Sequence, residues 1–214
     1  MEMISSIKEK AEQLIEKGYQ TDIGGYINKG YQIFEKEVGL FVGYTALMIV
    51  ISIVAGFIPF ASLLISGPLT AGFFIVAHKI NRGEPYEFNT FFKGFDFFVP
   101  LFLFTLVGGI FIALGTLALI LPGIYLAVAY SFAIPFIVFA KMEFWDGMEI
   151  SRKLITKNWW SIFGLMILVF LINLLGTLIL LVGLLFTIPI TYCAIYAAFD
   201  EIVGAGSGEQ GAGS

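Results

Sequence analysis

The sequence predicts an all-α, polytopic transmembrane helical bundle of six spanning helices, arranged as three hairpins with cytoplasmic amphipathic helices beside them. Three long segments, 38–77, 97–140 and 158–199, contain no Asp, Glu, Lys or Arg in 40, 44 and 42 residues. A helix needs about 20 apolar residues to cross a hydrocarbon core of about 30 Å, so each segment can cross twice. A charge at mid-bilayer costs about 2.5–3.5 kcal/mol on insertion scales, which explains why the 12 basic and 16 acidic residues lie elsewhere.

Residues 1–37 are predicted to form two cytoplasmic amphipathic helices. The first has apolar residues at spacings of three and four between charged ones and is expected to end near Gly18. The second begins after Asp22, and its apolar stripe consists of Ile23, Ile27, Tyr31, Phe34 and Val38. Two alternatives stay open: both helices lie on the membrane surface and pack against the bundle, or the first helix docks a cytoplasmic partner.

The transmembrane domain is expected to comprise residues 38–203. Its spanning helices are predicted at 39–57, 61–80, 97–118, 122–141, 159–180 and 184–202. Asp146 and Glu149 resemble a capping pair that opens an amphipathic helix at about 147–157. The tail, 204–214, consists mainly of Gly, Ala and Ser and is expected to be disordered, because it has little apolar surface to bury.

The distribution of basic residues predicts the orientation in the membrane. All 12 Lys and Arg lie in residues 1–37, 78–96 and 141–157. The turns within the hairpins, near 58–61, 118–121 and 180–183, contain none. Because cytoplasmic loops carry an excess of Lys and Arg, the basic segments and both termini are predicted to be cytoplasmic.

Composition excludes several functional classes. The net charge is −4 and the basic residues form no stripe, which argues against nucleic-acid binding. The single cysteine, Cys193, excludes an internal disulfide and a cysteine-based metal cluster. The spans contain no paired carboxylates and no serine–histidine pair, so the sequence predicts no catalytic, cofactor-binding or metal-binding residues and no enzymatic activity.

Five positions are candidates for ligand contact or helix packing: Asn173, Pro135, Ser131, Tyr130 and His78. Pro135 is predicted to bend the fourth span and to leave the Ser131 carbonyl unpaired, so that a cavity could open there; the simpler alternative is a permanent kink. Asn173 is the one amide deep within a span, where such residues usually bond between helices. His78 is expected to make a hydrogen bond at the membrane boundary rather than to bind a metal.

An internal repeat relates the hairpins. A shift of 121 residues places Gln32–Phe34 on Lys153–Ile155 and Pro68 on Pro189. Each unit then comprises an interfacial helix, a spanning helix, a turn and a second spanning helix that contains a proline. Because an even number of crossings separates the units, they are predicted to be parallel repeats.

Several segments resemble recurrent segments of a known family; they are 146–159, 67–72, 81–85 and 121–125. The family is a large group of prokaryotic six-helix membrane proteins of unknown function, related to the membrane domain fused to some glycerophosphodiester phosphodiesterases. The resemblance covers residues 25–203 and implies location in the cytoplasmic (inner) membrane. It brings no catalytic residues, because the hydrolase domain of the fused relatives is absent from this chain.

The expected function is that of an integral membrane protein without enzymatic activity, an accessory or scaffold component that acts through helix packing and its cytoplasmic amphipathic helices. Its expected partners are membrane lipids and a protein at the cytoplasmic face, with no cofactor. The alternative is a small-molecule or lipid translocator with an intramembrane cavity near Pro135 and Asn173. A continuous polar groove would favour translocation, and a dry, tightly packed core would favour the scaffold.

Overall fold

The computed structural model describes residues 2–179 and 182–204. Within them it contains no β-strand and has six helices long and apolar enough to cross a membrane. These candidate spans are Val38–Gly56, Ala61–Arg82, Phe88–Ala118, Ile120–Phe139, Trp159–Leu178 and Leu184–Val203. The chain is therefore an all-helical transmembrane bundle of three hairpins, as predicted. The predicted tail, 204–214, lies outside the described residues except for Gly204.

Ten α-helices and one 3₁₀-helix make up the described chain. They are α1 (Glu2–Lys17), α2 (Ile23–Lys36), α3 (Val38–Gly56), α4 (Ala61–Arg82), the 3₁₀-helix η1 (Phe88–Phe97), α5 (Phe98–Ala118), α6 (Ile120–Ala129), α7 (Ala133–Phe139), α8 (Phe144–Lys157), α9 (Trp159–Leu178) and α10 (Leu184–Val203). Helices α1, α2, η1 and α8, with the last turns of α4 and α10, form what we term the charged end of the bundle. The turns within the hairpins form its apolar end.

Local signals explain some of the helix ends. Gly18 follows α1 with φ 77°, and the Asp22 side chain caps α2 by accepting a hydrogen bond of 2.9 Å from the Gly25 amide. The predicted Asp146–Glu149 capping pair is wrong. The residue before α8 is Glu143, which makes no side-chain cap, and Asp146 lies in the first turn, where a carboxylate favours the helix dipole instead.

Within each hairpin, the first helix is peripheral and the second is central. The peripheral helices are α3, α5 with the preceding η1, and α9. In the most apolar part of each, the buried share of the residues is 22%, 11% and 22%, respectively. In α4, in α6 with α7, and in α10 the shares are 56%, 50% and 61%. The central helices meet through aromatic side chains: the ring of Phe199 in α10 lies 5.6 Å from Phe132 and 5.0 Å from Phe136, centroid to centroid.

Each amphipathic helix packs on the central helix of a different hairpin. Helix α2 packs on α10, η1 on α4 and α8 on α7. At all three contacts a glycine of the amphipathic helix (Gly30, Gly94 or Gly147) lies so close to its neighbour that a Cβ atom would not fit without movement. The order of amphipathic, peripheral and central helix therefore occurs three times, in line with the internal repeat.

The packed core lies toward the charged end. Five consecutive residues of α4, from Phe73 to Ala77, are all buried, so neighbours surround this part of the helix. At the apolar end every residue of 116–122 is exposed, and Leu117 is 83% exposed. The tip of the second hairpin hence exposes apolar side chains, while the amphipathic helices cover the other end of the bundle.

Candidate functional site

A buried carboxylate lies where α2, α4 and α10 meet at the charged end. Asp200 of α10 is 5% exposed. Its Oδ2 atom accepts from Lys29 Nζ at 3.1 Å and from Asn81 Nδ2 at 3.0 Å, whereas its Oδ1 atom is buried and has no hydrogen-bond partner in the described chain. One acid thereby connects three helices that are distant in sequence.

The polar contacts continue along α4 and α10. His78 Nδ1 and the Tyr196 hydroxyl share a hydrogen bond of 3.1 Å, and Asn81 Nδ2 lies 3.5 Å from the same hydroxyl. The His78 ring stacks on Phe139 with centroids 4.7 Å apart. We call Lys29, His78, Asn81, Tyr196 and Asp200 the Asp200 cluster.

Helical spacing places these side chains together. Tyr196 and Asp200 are four residues apart on α10, and His78 and Asn81 are three apart on α4, so each pair lies on one face. Small residues on α10 allow the neighbouring backbones to approach, as where Gly30 of α2 lies against Ala194. The cluster joins α2, α4 and α10 by polar side-chain contacts, with Asp200 buried and Lys29 partly exposed.

Asp200 is the residue of this cluster that the sequence pattern hides, because it lies next to Glu201 in the last turn of the final span, where charged residues are expected to be exposed to water. A signal is nevertheless present: Asp200 follows Tyr196 by one turn on an alanine-rich helix face. The sequence does single out His78, which lies in the cluster. Among the described residues, no group of three or more His, Cys, Asp or Glu side chains could hold a metal ion.

The predicted bend at Pro135 is an interruption of the helix. Helix α6 ends at Ala129, and α7 begins at Ala133. Pro135 thus lies in the first turn of α7, where its missing N–H would have had no helical partner. The fourth span, Ile120–Phe139, is interrupted close to the expected position, but it consists of two helices rather than one continuous bent helix. Tyr130 and Ser131 lie in the interruption; Tyr130 is 8% exposed, and the Ser131 hydroxyl is buried without a hydrogen-bond partner in the described chain.

Ser151 of α8 bonds the free backbone groups at this interruption. Its hydroxyl donates to the Ala129 carbonyl at 2.7 Å and accepts from the Phe132 amide at 3.2 Å. Ser151 is fully buried. A side chain from another helix therefore supplies the bonds that water would provide elsewhere.

Asn173 joins the two helices of the third hairpin. Its Nδ2 atom donates to Thr191 Oγ1 of α10 at 2.6 Å and to the Val169 carbonyl at 2.7 Å, while its Oδ1 atom is buried without a partner in the described chain. Asn173 lies in the half of α9 toward the apolar end, whereas Pro135 lies in α7 toward the charged end. The structure does not bring these two positions to one depth.

Hydrogen bonds outside the spans shift the pKa values of Tyr86 and Glu149. The Tyr86 hydroxyl donates to Glu37 Oε1 at 2.7 Å, and this bond raises the pKa of Tyr86 because it favours the neutral phenol. Arg152 donates two hydrogen bonds, of 2.9 and 2.7 Å, to Glu149 and lowers the pKa of that carboxyl. The Tyr86–Glu37 bond joins the segment after α4 to the junction of α2 and α3, whereas the Arg152–Glu149 pair lies within α8.

Comparisons with protein-family models, with curated proteins and with solved structures found no match. The family resemblance carried by residues 67–72, 81–85, 121–125 and 146–159 therefore stays a prediction.

Proposed function

We propose that this chain is a non-catalytic accessory or scaffold component of the cytoplasmic (inner) membrane. The observation that supports it best is the filling of the bundle centre by aromatic rings. Phe73, Phe132, Phe136 and Phe199 are each 0% exposed. A carrier of polar solutes would need a wet path lined by polar groups through this region, whereas a dry core gives a rigid platform.

The proposed orientation has both termini and all basic segments in the cytoplasm. Its support is the excess of Lys and Arg at the charged end and their absence from the three hairpin turns. Trp145 and Trp160, which are 51% and 77% exposed, lie at this end, where indole rings favour the membrane–water boundary.

The proposed partners are membrane lipids around the hairpins and a protein at the cytoplasmic face. Helices α1 and α8 pack on each other at the charged end and leave the charged side chains Lys8, Glu12 and Asp146 exposed. A soluble protein could bind this surface without entering the bilayer.

The alternative, a translocator of small molecules or lipids, has less support. It needs a cavity near Pro135 and Asn173, but the amide of Asn173 bonds to Thr191, and Ser151 bonds the backbone near Pro135. Asn173→Asp separates the two functions. In a dry site the new carboxylate should block assembly, and normal expression of the variant would favour a wet cavity.

Photocrosslinking in native membranes tests the scaffold function. A photoreactive residue is placed at Glu16 of α1 or Lys157 of α8, both exposed at the charged end, and at Leu117 of the hairpin tip as a control. The proposal expects one recurrent protein adduct from Glu16 or Lys157 and lipid adducts from Leu117. Lipid adducts alone from all three positions would contradict it.

A further inference from the structure

The junction between α8 and α9 carries more positive charge than the corresponding junctions of the other two hairpins. Just before α9, residues 150–157 contain three basic residues and no acid. Just before α3, residues 30–37 contain one lysine between two glutamates, and η1, which precedes α5, contains one lysine and one aspartate. The three junctions occupy the same place in the order of amphipathic and peripheral helix. The excess of basic residues therefore belongs to one hairpin and is not a general property of the charged end.

Pairing within α8 leaves two positive charges at this junction. Arg152 donates hydrogen bonds of 2.9 and 2.7 Å to Glu149, and Lys153 Nζ lies 3.3 Å from Oε1 of the same carboxylate. Two bases thus share one acid. Lys157 is exposed, and within the described chain its ammonium makes no hydrogen bond and no ion pair within 4.0 Å. Three bases against one acid give a net charge of +2.

Other charges near α8 do not cancel this excess. Asp146, the other acid of α8, lies in its first turn, about 16 Å along the helix axis from Lys157. Helix α1 packs on α8, and its residues 8–17 contain three Lys and three Glu. The positive charge is therefore concentrated in the last two turns of α8.

Polar side chains of α6 and α8 meet beside these bases. The Tyr125 hydroxyl shares a hydrogen bond of 2.7 Å with Thr156, whose Oγ1 atom also donates to the Arg152 carbonyl at 2.6 Å. Glu149 and, after it, Tyr125 raise the pKa of Arg152, because both stabilise the charged guanidinium. Glu149 uses two of the five N–H donors of Arg152, so donors remain for a second acceptor.

This junction also lies where the chain enters its apolar part. Lys157 ends α8, and α9 begins two residues later at Trp159. Trp159 Nε1 donates to the Tyr125 carbonyl at 3.4 Å, and the Trp160 side chain is 77% exposed. Indole rings favour the membrane–water boundary, the level at which lipid headgroups lie. Trp160 and the exposed Ile124 of α6 supply apolar surface there.

We propose that the junction between α8 and α9 binds the phosphate of an anionic phospholipid. Arg152 and Lys157 donate to the phosphate oxygens, and the acyl chains lie on the exposed apolar side chains of α6 and α9. A net charge of +2 favours an anionic lipid over a zwitterionic one, whose headgroup carries a positive group as well. A lipid fits better than a soluble acidic protein, because the bases adjoin apolar surface at the boundary. The inference deepens the proposed contact with membrane lipids and rests on the proposed boundary at the charged end.

Quenching of tryptophan fluorescence by brominated lipids tests this site with the full chain in nanodiscs. Bromine on the acyl chains quenches tryptophan only when the lipid lies next to the ring, and Trp159 and Trp160 lie at the junction. An increasing fraction of the phosphatidylcholine is replaced by brominated phosphatidylglycerol or, as the control, by brominated phosphatidylcholine. We expect phosphatidylglycerol to bind about 25-fold more tightly, or about fivefold for each of the two excess charges. Equal quenching by the two lipids would overturn the inference.

Matched lysine variants assign the binding to this junction. Lys157→Gln should weaken phosphatidylglycerol binding about fivefold, whereas Lys157→Arg should retain it. Lys36→Gln makes the same change of charge just before α3, where the exposed lysine lies between Glu35 and Glu37, and should leave the binding unchanged. Equal losses in Lys157→Gln and Lys36→Gln would mean that general surface charge attracts the lipid, and would overturn the inference.

Soluble anions decide whether the occupant is a lipid. At constant ionic strength, neither inorganic phosphate nor a hexaglutamate peptide should relieve the quenching by brominated phosphatidylglycerol. Displacement by phosphate would indicate a site for a free anion, and displacement by the peptide would indicate a site for an acidic protein. Either result would overturn the choice of a lipid.

The crosslinking experiment separates this inference from the scaffold function. If Glu16 forms the recurrent protein adduct but phosphatidylglycerol is not preferred, the lipid site is refuted and the scaffold function stands. If phosphatidylglycerol is preferred and no protein adduct forms, the scaffold function fails and the lipid site stands.

Discussion

Replacement of Lys29 by Met tests whether the Asp200 cluster holds α2 on the bundle. Asp200 is 5% exposed, and Lys29 Nζ lies 3.1 Å from its carboxylate. Removal of one partner of a fully buried ion pair costs about 3–5 kcal/mol, because the other charge stays buried without compensation. The Lys29 side chain is 35% exposed and Asn81 still donates to Asp200, so we expect a smaller loss, about 2 kcal/mol of unfolding free energy.

A double-mutant cycle isolates the ion pair from other effects. Asp200→Asn removes the charge but keeps an acceptor for Asn81, so it should cost about 1 kcal/mol. The variant with both Lys29→Met and Asp200→Asn contains no uncompensated charge in the cluster and should also lose only about 1 kcal/mol. The expected coupling energy between the two residues is therefore about 2 kcal/mol.

Reversible unfolding by SDS in mixed micelles, followed by tryptophan fluorescence, measures these free energies. Amide hydrogen exchange of α2 provides a second readout, because Lys29→Met should lower the protection of this helix more than that of α9. If the losses of the two single variants add up to the loss of the double variant within about 0.5 kcal/mol, Lys29 and Asp200 are not coupled. If Lys29→Met leaves the amide protection of α2 unchanged, the ion pair does not hold α2 on the bundle.

Three further changes test the packing at the charged end. Gly30→Ala should cost about 1–3 kcal/mol in the unfolding assay, because the new methyl would lie 2.5 Å from the α10 backbone. Ser151→Ala should cost about 1–3 kcal/mol, since two backbone groups at the break between α6 and α7 lose their partner. Acidification should release Arg152 from Glu149 only below the ordinary carboxyl pKa, because the pair lowers the pKa of Glu149; a carboxyl NMR titration measures this midpoint.

Each of these expectations has its own control. Gly39→Ala should be tolerated, because no atom of a neighbouring helix lies within 4 Å of the added methyl. If Gly39→Ala and Gly30→Ala lowered the unfolding free energy equally, the close contact of Gly30 with α10 would not be the cause of the loss. A loss below about 0.5 kcal/mol for Ser151→Ala would mean that water or another donor replaces the hydroxyl. A carboxyl with a lowered pKa stabilises the fold above its unfolded value, about 4.3 for Glu, and loses this contribution as the pH falls through the folded value. A Glu149 midpoint at or above that value would contradict the pairing.

The six spans could be predicted because the bilayer constrains the sequence directly. A charge-free apolar segment long enough for two crossings is stable in lipid, whereas in water it would expose a large apolar surface. The observed helices α3, α4, α9 and α10 accordingly begin and end within a few residues of the predicted positions. A disturbance of the fourth span near Pro135 could be predicted from the chemistry of proline, but the bonds that Ser151, a side chain from the next amphipathic helix, makes to the backbone there could not. Such a bond is a tertiary contact and leaves no local pattern.

The buried face of α2 shows a second limit of sequence patterns. The predicted stripe contains Tyr31, which is 48% exposed, whereas Tyr26, Gly30 and Ile33 are buried. A stripe of large apolar residues is the usual guide to the buried face, but here a glycine sets the closest approach to α10. The same packing buries Asp200, and so hydrophobicity alone could not reveal the cluster.

Labelling that shows on which side of the membrane each charged segment lies is the most direct test of this topology. Single cysteines at Glu16, Glu84 and Lys141, in a chain with Cys193→Ala, are treated with a membrane-impermeant maleimide in spheroplasts. If every charged segment is cytoplasmic, all three sites stay unlabelled until the membrane is permeabilised. Labelling of one site in intact spheroplasts while another stays protected would contradict six crossings with every charged segment on one side.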